Sequence, residues 1–221
     1  MYFTKKREVV VLLVVILISV AGILIVTKVG GGITGAALIE PTELAPTGIT
    51  SVTNCIPLTI EGETYRLDNA ITNASTCLSI LANNITVDCN NFRITYAVDS
   101  DGAAINNTGG YDNILVKNCL IEESVGRTES SAIIFRGSIN STIENNLIVT
   151  KGTEAHGIVL EASANNTVVI NNITTATTAA GTWLGVGILL NGSPRSIMNS
   201  LINNNISTRG PYAVEHQGDG I

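Results

Sequence analysis

The sequence predicts an all-β fold, a parallel β-helix in which one chain coils through short strands as a solenoid, preceded by one transmembrane helix. Residues 51–221 repeat a single apolar–polar pattern, and residues 9–28 contain a long apolar run. The 221-residue chain is 45% hydrophobic but only 4% aromatic and 14% charged. So few charges argue against a helix-rich soluble protein, and so many aliphatic residues argue against a disordered chain.

The N-terminal apolar run predicts a membrane anchor. VVVLLVVILISVAGILIV (Val9–Val26) has no charged residue, and about 20 such residues cross a ~30 Å hydrocarbon core as a helix. Three basic residues at positions 5–7 precede it. By the positive-inside rule, residues 1–8 are then cytoplasmic, residues 9–28 are a signal-anchor helix and the rest is extracellular. A cleaved signal peptide is the alternative, with Gly35 and Ala37 as the small residues of its cleavage site.

The part of the chain after the anchor is acidic. Four of the 12 basic residues and one of the 18 acidic residues flank the apolar run. The remaining chain therefore has 8 basic and 17 acidic residues, or a net charge near −9. This balance argues against a nucleic-acid partner, because binding requires Lys and Arg to neutralise phosphates. Residues 29–50, with three consecutive glycines and two prolines, are predicted to form a flexible linker.

The repeat is visible in five segments, which are NITVDCN (84–90), ILVKNCL (114–120), STIENNL (141–147), TVVINNI (167–173) and SLINNNI (200–206). Their central aliphatic residues are Val87, Val116, Ile143, Val169 and Ile202. A second series precedes the later segments, as GAAI (102–105), SAII (131–134), HGIV (156–159) and GVGIL (185–189). Within each segment apolar and polar residues alternate, which predicts strands with one buried face.

Stacking of these segments explains the pattern. A period of 26–33 residues fits two or three short strands per circuit, and circuits stacked at ~4.8 Å bring equivalent residues together. Asparagine can donate and accept between circuits, and it tolerates the left-handed conformation of a sharp bend. Glycine before isoleucine marks a bend that a Cβ would obstruct. The residues two positions after the central aliphatic are therefore predicted to form a structural amide ladder of Asn118, Asn145, Asn171 and Asn204.

These repeats resemble the right-handed parallel β-helix of pectin-lyase-like proteins, and most closely the NosD-like β-helix repeat proteins. The resemblance is carried by CLSILANNITVDCNNFRI (77–94) and ILVKNCLI (114–121), and it extends over residues 51–221. It implies a right-handed coil but no single activity, because the family contains enzymes, adhesins and binding scaffolds. Copper, which the NosD likeness would suggest, needs clustered ligands. The chain has two histidines, and its methionines are Met1 and Met198, so no metal or other cofactor is predicted.

Four cysteines lie in the part predicted to be exported: Cys55, Cys77, Cys89 and Cys119. An even number of cysteines outside the cytosol favours disulfides. The 22-residue step from Cys55 to Cys77 is one shortened circuit, so stacking favours that pair, and Cys89 with Cys119 on adjacent circuits is the second pair. Free buried thiols are the alternative.

The C-terminal spacing predicts a continuation of the chain. Ile188 follows Val169 by 19 residues, and Ile221, preceded by Gly220, follows Ile202 by the same step. The sequence therefore ends on the Gly-Ile signal of the next circuit. An uncapped last circuit is an unpaired edge that invites aggregation, so we expect the natural protein to continue beyond it.

One outward column of alternating charge is a candidate ligand face. The residues after the central aliphatic include Asp88, Lys117 and Glu144, which are interpreted as a surface ion-pair ladder or, as the weaker alternative, a catalytic face. Trp183 is the best aromatic platform for a sugar. The pair Glu122-Glu123 is predicted to lie on an exposed loop, and no catalytic or metal-binding residue is assigned.

Eight N-x-[ST] sequons occur in the chain. Asn106, Asn140 and Asn191 are predicted to lie in loops where a glycan can be attached. Asn172 and Asn205 fall in the repeat column and are predicted to be poor acceptors if they are buried.

The sequence favours a membrane-anchored extracellular scaffold for surface binding or adhesion, with carbohydrate or a cell-surface component as its partner. A polysaccharide-active lyase or glycoside hydrolase with catalytic circuits beyond Ile221 is the alternative. A purely structural surface-layer component is a third reading.

Overall fold

The computed structural model describes residues 18–19, 22–23, 48–176, 185–193, 196–208 and 214–216, and every regular element in these ranges is a strand. The strands are, in chain order, β1 (Ile18–Ser19), β2 (Gly22–Ile23), β3 (Ile49–Val52), β4 (Pro57–Leu58), β5 (Thr64–Leu67), β6 (Ile71–Thr72), β7 (Leu78–Ile80) and β8 (Thr86–Asp88). They continue as β9 (Arg93–Tyr96), β10 (Ile105–Asn107), β11 (Leu115–Lys117), β12 (Leu120–Glu123), β13 (Ile133–Arg136), β14 (Thr142–Glu144) and β15 (Leu147–Thr150). The last are β16 (Ile158–Glu161), β17 (Thr167–Val169), β18 (Asn172–Thr175), β19 (Ile188–Asn191), β20 (Ser200–Ile202), β21 (Asn205–Thr208) and β22 (Val214–His216).

Strands β3 to β22 form three parallel sheets. Sheet 1 has the order β3-β5-β8-β11-β14-β17-β20, sheet 2 the order β6-β9-β12-β15-β18-β21, and sheet 3 the order β4-β7-β10-β13-β16-β19-β22. From β5 onward the chain visits sheets 1, 2 and 3 in turn, and one such circuit is called a rung. Each strand pairs with its equivalents in the neighbouring rungs, which is consistent with the predicted parallel β-helix.

The core is the inside of this coil. Strand residues alternate between buried and outward positions, for example in β9, β12 and β15, as a half-buried strand requires. The column Ile105, Ile133, Ile158 and Ile188 is fully buried and in register, which confirms the second series of repeats. At Gly157 an added Cβ would collide with the Ile173 side chain and the Gly187 carbonyl, which confirms that this bend requires glycine.

The predicted register is correct over the early rungs and wrong by one residue from the fourth segment onward. Val87, Val116 and Ile143 are neighbours as predicted, but Ile143 pairs with Val168 rather than Val169. Val168 and Val169 are both aliphatic, so either can stand opposite Ile143 in a sequence alignment. Matching the Asn-Asn dipeptides at 145–146 and 171–172 selects Val169, which is one residue too late. Burial decides the register, because Val168 is fully buried and Val169 is not.

The predicted single amide ladder is therefore two columns. Asn118 and Asn145 form the first, where the Asn145 amide donates to Asn118 Oδ1 at 2.9 Å. Asn171 and Asn204 lie in the neighbouring, inward column together with Asn146. In that inward ladder the Asn146 amide donates to Asn171 Oδ1 at 2.9 Å, and the Asn171 amide donates to Asn204 Oδ1 at 3.0 Å.

The inward ladder also satisfies backbone groups of the corner between sheets 1 and 2. Each Asn oxygen accepts the backbone N–H of its equivalent in the preceding rung, as Asn146 does for Cys119 at 2.9 Å and Asn171 does for Asn146 at 3.0 Å. Each Asn amide donates to a strand carbonyl of that rung, as Asn171 does to Ile143 at 2.9 Å. A buried bend would otherwise leave these groups without partners.

A second inward ladder supports the corner between sheets 3 and 1. Asn166 Oδ1 accepts the backbone N–H of Ser141 at 2.9 Å, and Asn199 Oδ1 accepts that of Asn166 at 2.9 Å. The Asn166 amide donates to the Ser138 carbonyl at 3.0 Å. Both corners beside sheet 1 therefore depend on buried side-chain amides.

The structure contains the two favoured disulfides. Cys55 pairs with Cys77, and Cys89 pairs with Cys119, with Cα–Cα distances of 4.6 and 4.7 Å. Each bridge links consecutive rungs, as the predicted stacking requires, and the described residues contain no free cysteine.

Both ends of the chain differ from expectation where they are described. Within the predicted transmembrane helix, Ile18–Ser19 and Gly22–Ile23 form an antiparallel strand pair, and its other residues lie outside the described ranges. No helix in the described part of the chain is long and apolar enough to cross a membrane. Near the C-terminus, Ile188 pairs with Val214 of β22, so Ile221 is not its equivalent in the next rung.

Candidate binding face along sheet 1

From β8 to β20, the outer face of sheet 1 presents two columns of side chains. The column at the strand starts consists of Thr86, Leu115, Thr142, Thr167 and Ser200. The column at the strand ends consists of Asp88, Lys117, Glu144, Val169 and Ile202. The structure thus places the three candidate face residues Asp88, Lys117 and Glu144 side by side. The outer face changes from charged to apolar towards the C-terminal rungs.

Asp88 begins a row of hydrogen-bonded polar side chains along the corner between sheets 1 and 2. Its Oδ2 lies 3.8 Å from Lys117 Nζ, and its Oδ1 accepts the backbone N–H of Asn90 at 2.9 Å and the Asn118 amide at 3.0 Å. Asn118 Oδ1 in turn accepts the Asn145 amide at 2.9 Å. We call Asp88, Asn118 and Asn145 the amide row.

The local sequence explains why the amide row lies at the corner. Asn118 and Asn145 have φ values of 57° and 51°, the left-handed region that asparagine tolerates better than other residues with a Cβ. The chain turns at these residues from sheet 1 into sheet 2, and the turn points their side chains outward while the next residue points inward. Asn145 is exposed and Asn118 is half-buried, so both amides are accessible to a ligand.

A second row borders sheet 1 on its other side. Asn84, Asn113, Asn140 and Asn165 occupy equivalent positions in four successive rungs at the corner between sheets 3 and 1, all exposed. Their φ values lie between 55° and 59°. We call these four residues the corner row. Sheet 1 is therefore bounded on both sides by outward asparagines.

This arrangement suits recognition rather than acid–base chemistry. Asp88 and Glu144 lie two rungs apart, about 10 Å at the spacing of stacked strands, and Lys117 stands between them. Both oxygens of Asp88 already have partners within the protein. The amides of Asn118 and Asn145, one in each of two successive rungs, can donate to and accept from hydroxyl groups of a ligand that extends along the coil.

Several predicted site residues lie elsewhere. Trp183 falls outside the described residues. Asn106 lies within β10 and Asn191 ends β19, both half-buried, so they are not in loops as predicted. Asn140 lies in the turn between β13 and β14, as predicted.

Glu123 is the residue that sequence reasoning misplaced most clearly. Instead of lying on an exposed loop, its side chain is fully buried at the end of β12. Its Oε1 accepts the backbone N–H of Arg127 at 2.6 Å, and its Oε2 accepts those of Lys151 and Gly152 at 2.6 and 2.9 Å. One carboxyl group thus ties the loop of its own rung to the loop of the next. The period-2 pattern carries this signal, because Glu123 has the same parity as the inward Ile121.

The equivalent residues of other rungs hold their loops in a similar way. The Tyr96 hydroxyl donates to the Ser130 carbonyl at 2.8 Å, and the Thr150 hydroxyl donates to the Ala155 carbonyl at 2.8 Å. Burial, with a smaller contribution from Glu123, raises the pKa of Tyr96 well above its ordinary value. The inward position at this end of sheet 2 therefore carries a polar group that fixes a following loop.

Glu122 has the opposite environment. It points outward and accepts hydrogen bonds from Arg93 Nη1 at 2.8 Å and Lys151 Nζ at 2.9 Å. The hydrogen bond from Lys151 lowers the pKa of Glu122, and the charges of Lys151 and Arg93 lower it further. This exposed network contributes little to stability.

The buried position of Glu123 predicts a pH dependence of folding. Desolvation raises the pKa of Glu123 from 4.5, against the three backbone N–H groups and Lys151, which lower it. The folded chain therefore binds the Glu123 proton more tightly than the unfolded chain does. The contribution of this proton to the free energy of unfolding is complete below pH 4.5, and it is lost as pH rises through the pKa of Glu123 in the folded chain.

Guanidinium unfolding of the wild type and of Glu123→Gln between pH 4 and 8 measures this effect. The stability of the wild type relative to the variant should fall as pH rises above 4.5 and then level off. Glu122→Gln is the matched control, and the stability of the wild type relative to this variant should show no such fall. A wild-type advantage that grows over this range would contradict the expected proton binding.

Comparisons with known proteins give no relative. No family model, no curated protein and no solved structure matches the chain. Within the described ranges, no three His, Cys, Asp or Glu side chains lie close enough together to hold a metal ion. Function is therefore inferred from the geometry of sheet 1 and its borders.

Proposed function

We propose that the chain is a non-catalytic scaffold that binds a carbohydrate polymer, as a right-handed β-helix of the NosD-like kind. Its N-terminal apolar run holds it to a membrane with the β-helix outside the cell. The observation that carries the proposal is the amide row beside the column of Asp88, Lys117 and Glu144, which places hydrogen-bonding side chains in three successive rungs on an accessible face.

The chemistry of the row favours a hydroxyl-rich ligand. Amide groups both donate and accept, which matches sugar hydroxyls better than a purely anionic or cationic surface would. A net charge near −9 beyond the anchor disfavours a polyanion at long range. The two disulfides support export, because such bridges persist in oxidising compartments.

Binding of a neutral and an acidic glycan to the full chain in detergent tests the proposal. The probes are a linear β-1,4-glucan hexasaccharide and polygalacturonate, measured by calorimetry. We expect the neutral probe to bind more tightly. Asn118→Gly with Asn145→Gly removes both amides but keeps the left-handed backbone, and it should weaken binding roughly tenfold because two hydrogen bonds are lost.

Asn165→Gly is the matched control, since it removes an exposed left-handed asparagine from the opposite border of sheet 1. It should leave the affinity unchanged. The proposed face would be overturned if neither probe bound, or if Asn165→Gly weakened binding as much as the double variant does. Release of cleaved sugar from either probe would favour the polysaccharide-active enzyme instead.

A further inference from the structure

We propose that the corner row is a site of N-linked glycosylation, with Asn84, Asn140 and Asn165 as acceptors and with only one glycan on the Asn140–Asn165 pair. This inference does not depend on carbohydrate binding at the amide row, which lies on the other border of sheet 1. It revises the expected acceptors, because it adds two asparagines and removes two.

The three acceptors share one local geometry. Each begins an N-x-Thr sequon, with Thr86, Thr142 or Thr167 two positions later. Each asparagine is exposed and has a φ between 55° and 59°, so its amide projects from a turn. The middle residue points inward, and the threonine points outward at the start of a sheet 1 strand. Sequons are glycosylated at surface turns.

Asn113 shows that the fold does not demand a sequon at this corner. It has the same left-handed conformation and exposure, but its position +2 is Leu115 rather than Ser or Thr. It therefore serves as a natural non-acceptor within the same row.

Other sequons are less suited to modification. Asn106 is half-buried in β10, where its Oδ1 accepts the Thr108 backbone N–H at 2.9 Å. Asn191 is half-buried at the end of β19, where its Oδ1 accepts the Gly192 backbone N–H at 2.6 Å. Asn172 and Asn205 are exposed, but they begin the strands β18 and β21 rather than lying at a turn. Asn73, in the remaining sequon, is half-buried, and its amide donates to the Thr76 carbonyl.

Asn140 and Asn165 cannot both carry a glycan. They occupy adjacent rungs, about 4.8 Å apart, and the Asn165 amide donates to Asn140 Oδ1. The first sugar on either nitrogen is broader than one rung spacing, so it covers the other amide. Asn84 is separated from Asn140 by the rung of Asn113, which leaves room for a glycan of its own.

The reaction needs a lipid-linked oligosaccharide diphosphate as its second substrate. The asparagine Nδ2 attacks the anomeric carbon of the sugar, a C–N bond forms, and the C–O bond to the lipid diphosphate breaks. The diphosphate leaves with the electron pair of that bond, and one amide proton passes to a base of the enzyme that catalyses the transfer. The modified nitrogen keeps one N–H.

Glycopeptide mass spectrometry of the full chain expressed in insect cells tests the proposal. Only molecules with both the Cys55–Cys77 and Cys89–Cys119 bridges are scored, because those bridges form in the same oxidising compartment as the glycan transfer. We expect two glycans per chain, one on Asn84 and one on either Asn140 or Asn165.

Threonine-to-valine variants remove each sequon but keep the left-handed asparagine. Thr86→Val should lose one glycan. Thr142→Val or Thr167→Val alone should keep two, because the other member of the pair is modified, and the two changes together should lose one. Ser193→Ala and Thr108→Val, which remove the Asn191 and Asn106 sequons, should lose none. Bridged chains without a glycan on the corner row, or with glycans on both Asn140 and Asn165, would overturn the proposal.

Discussion

Replacing Asn171 with leucine is expected to lower the free energy of unfolding by roughly 3–5 kcal/mol. Leucine has a similar size but no polar atoms. The change removes the acceptor of the buried Asn146 N–H and the side-chain donor to the Ile143 carbonyl. It also removes one of the two donors to Asn204 Oδ1, which then keeps only the backbone N–H of residue 171. Each buried polar group that loses its partner costs about 1–3 kcal/mol. Chemical denaturation with a far-ultraviolet circular dichroism signal measures the loss.

Asn172→Leu is the matched control for this prediction. It makes the same substitution one residue later, where the side chain is exposed on the outer face of sheet 2. Its effect should stay within about 0.5 kcal/mol, as for most surface changes. Equal losses for the two variants would mean that the inward ladder contributes no specific stability.

The rung architecture was predictable because the same physical requirement recurs in every rung. Each strand needs an inward aliphatic residue, and each sharp corner needs a residue that tolerates positive φ and forms hydrogen bonds between rungs. Val87, Val116 and Ile143 carry the first signal, and Asn118 and Asn145 carry the second. Both signals can be read without knowing how the loops are packed.

The later register was not predictable from residue types alone. Val168 and Val169 are interchangeable in a hydrophobic alignment, and the Asn-Asn dipeptides at 145–146 and 171–172 match in a register that is wrong by one residue. Only burial separates the two alignments, since Asn146 and Asn171 point inward whereas Asn145 and Asn172 are exposed. Strand period 2 makes such a slip invert every side chain.

Glu123 escaped prediction for a related reason. Charged residues are rarely buried without partners, so a Glu-Glu pair is normally interpreted as exposed. Its partners are backbone N–H groups of two loops, which no sequence pattern reveals. The column of Asp88, Lys117 and Glu144 was easier to predict, because these residues lie in the part of the repeat where the register was correct.

Removing the buried disulfide with Cys89→Ala and Cys119→Ala is expected to lower the free energy of unfolding by about 3.5 kcal/mol. The bridge closes a 30-residue loop and restricts the unfolded chain accordingly. Cys55→Ala with Cys77→Ala, which opens a 22-residue loop, should cost slightly less. Guanidinium unfolding measures both losses, and reductant should reduce the stability of the wild type by at least as much as either variant loses.

The position of the Cys89–Cys119 disulfide within the stack predicts which rungs lose stability when it is removed. Cys119 is bridged to Cys89 in the preceding rung, and its backbone N–H donates to Asn146 Oδ1 in the following rung. At this corner the disulfide thus joins the rungs before Cys119, and the inward amide ladder joins the rungs after it. The stability of a stacked repeat protein is approximately the sum of each repeat's own stability and its interactions with the neighbouring repeats.

Loss of the bridge should therefore weaken the N-terminal rungs while the ladder still holds the later ones. Hydrogen exchange should become faster in β5, β8 and β9, with β17 and β18 retaining their protection. Asn171→Leu should give the reverse pattern, with faster exchange in β14, β17 and β18. If hydrogen exchange became faster by the same factor in all rungs of both variants, the coil would unfold as one unit. Neither the Cys89–Cys119 disulfide nor the inward amide ladder would then stabilise its own rungs specifically.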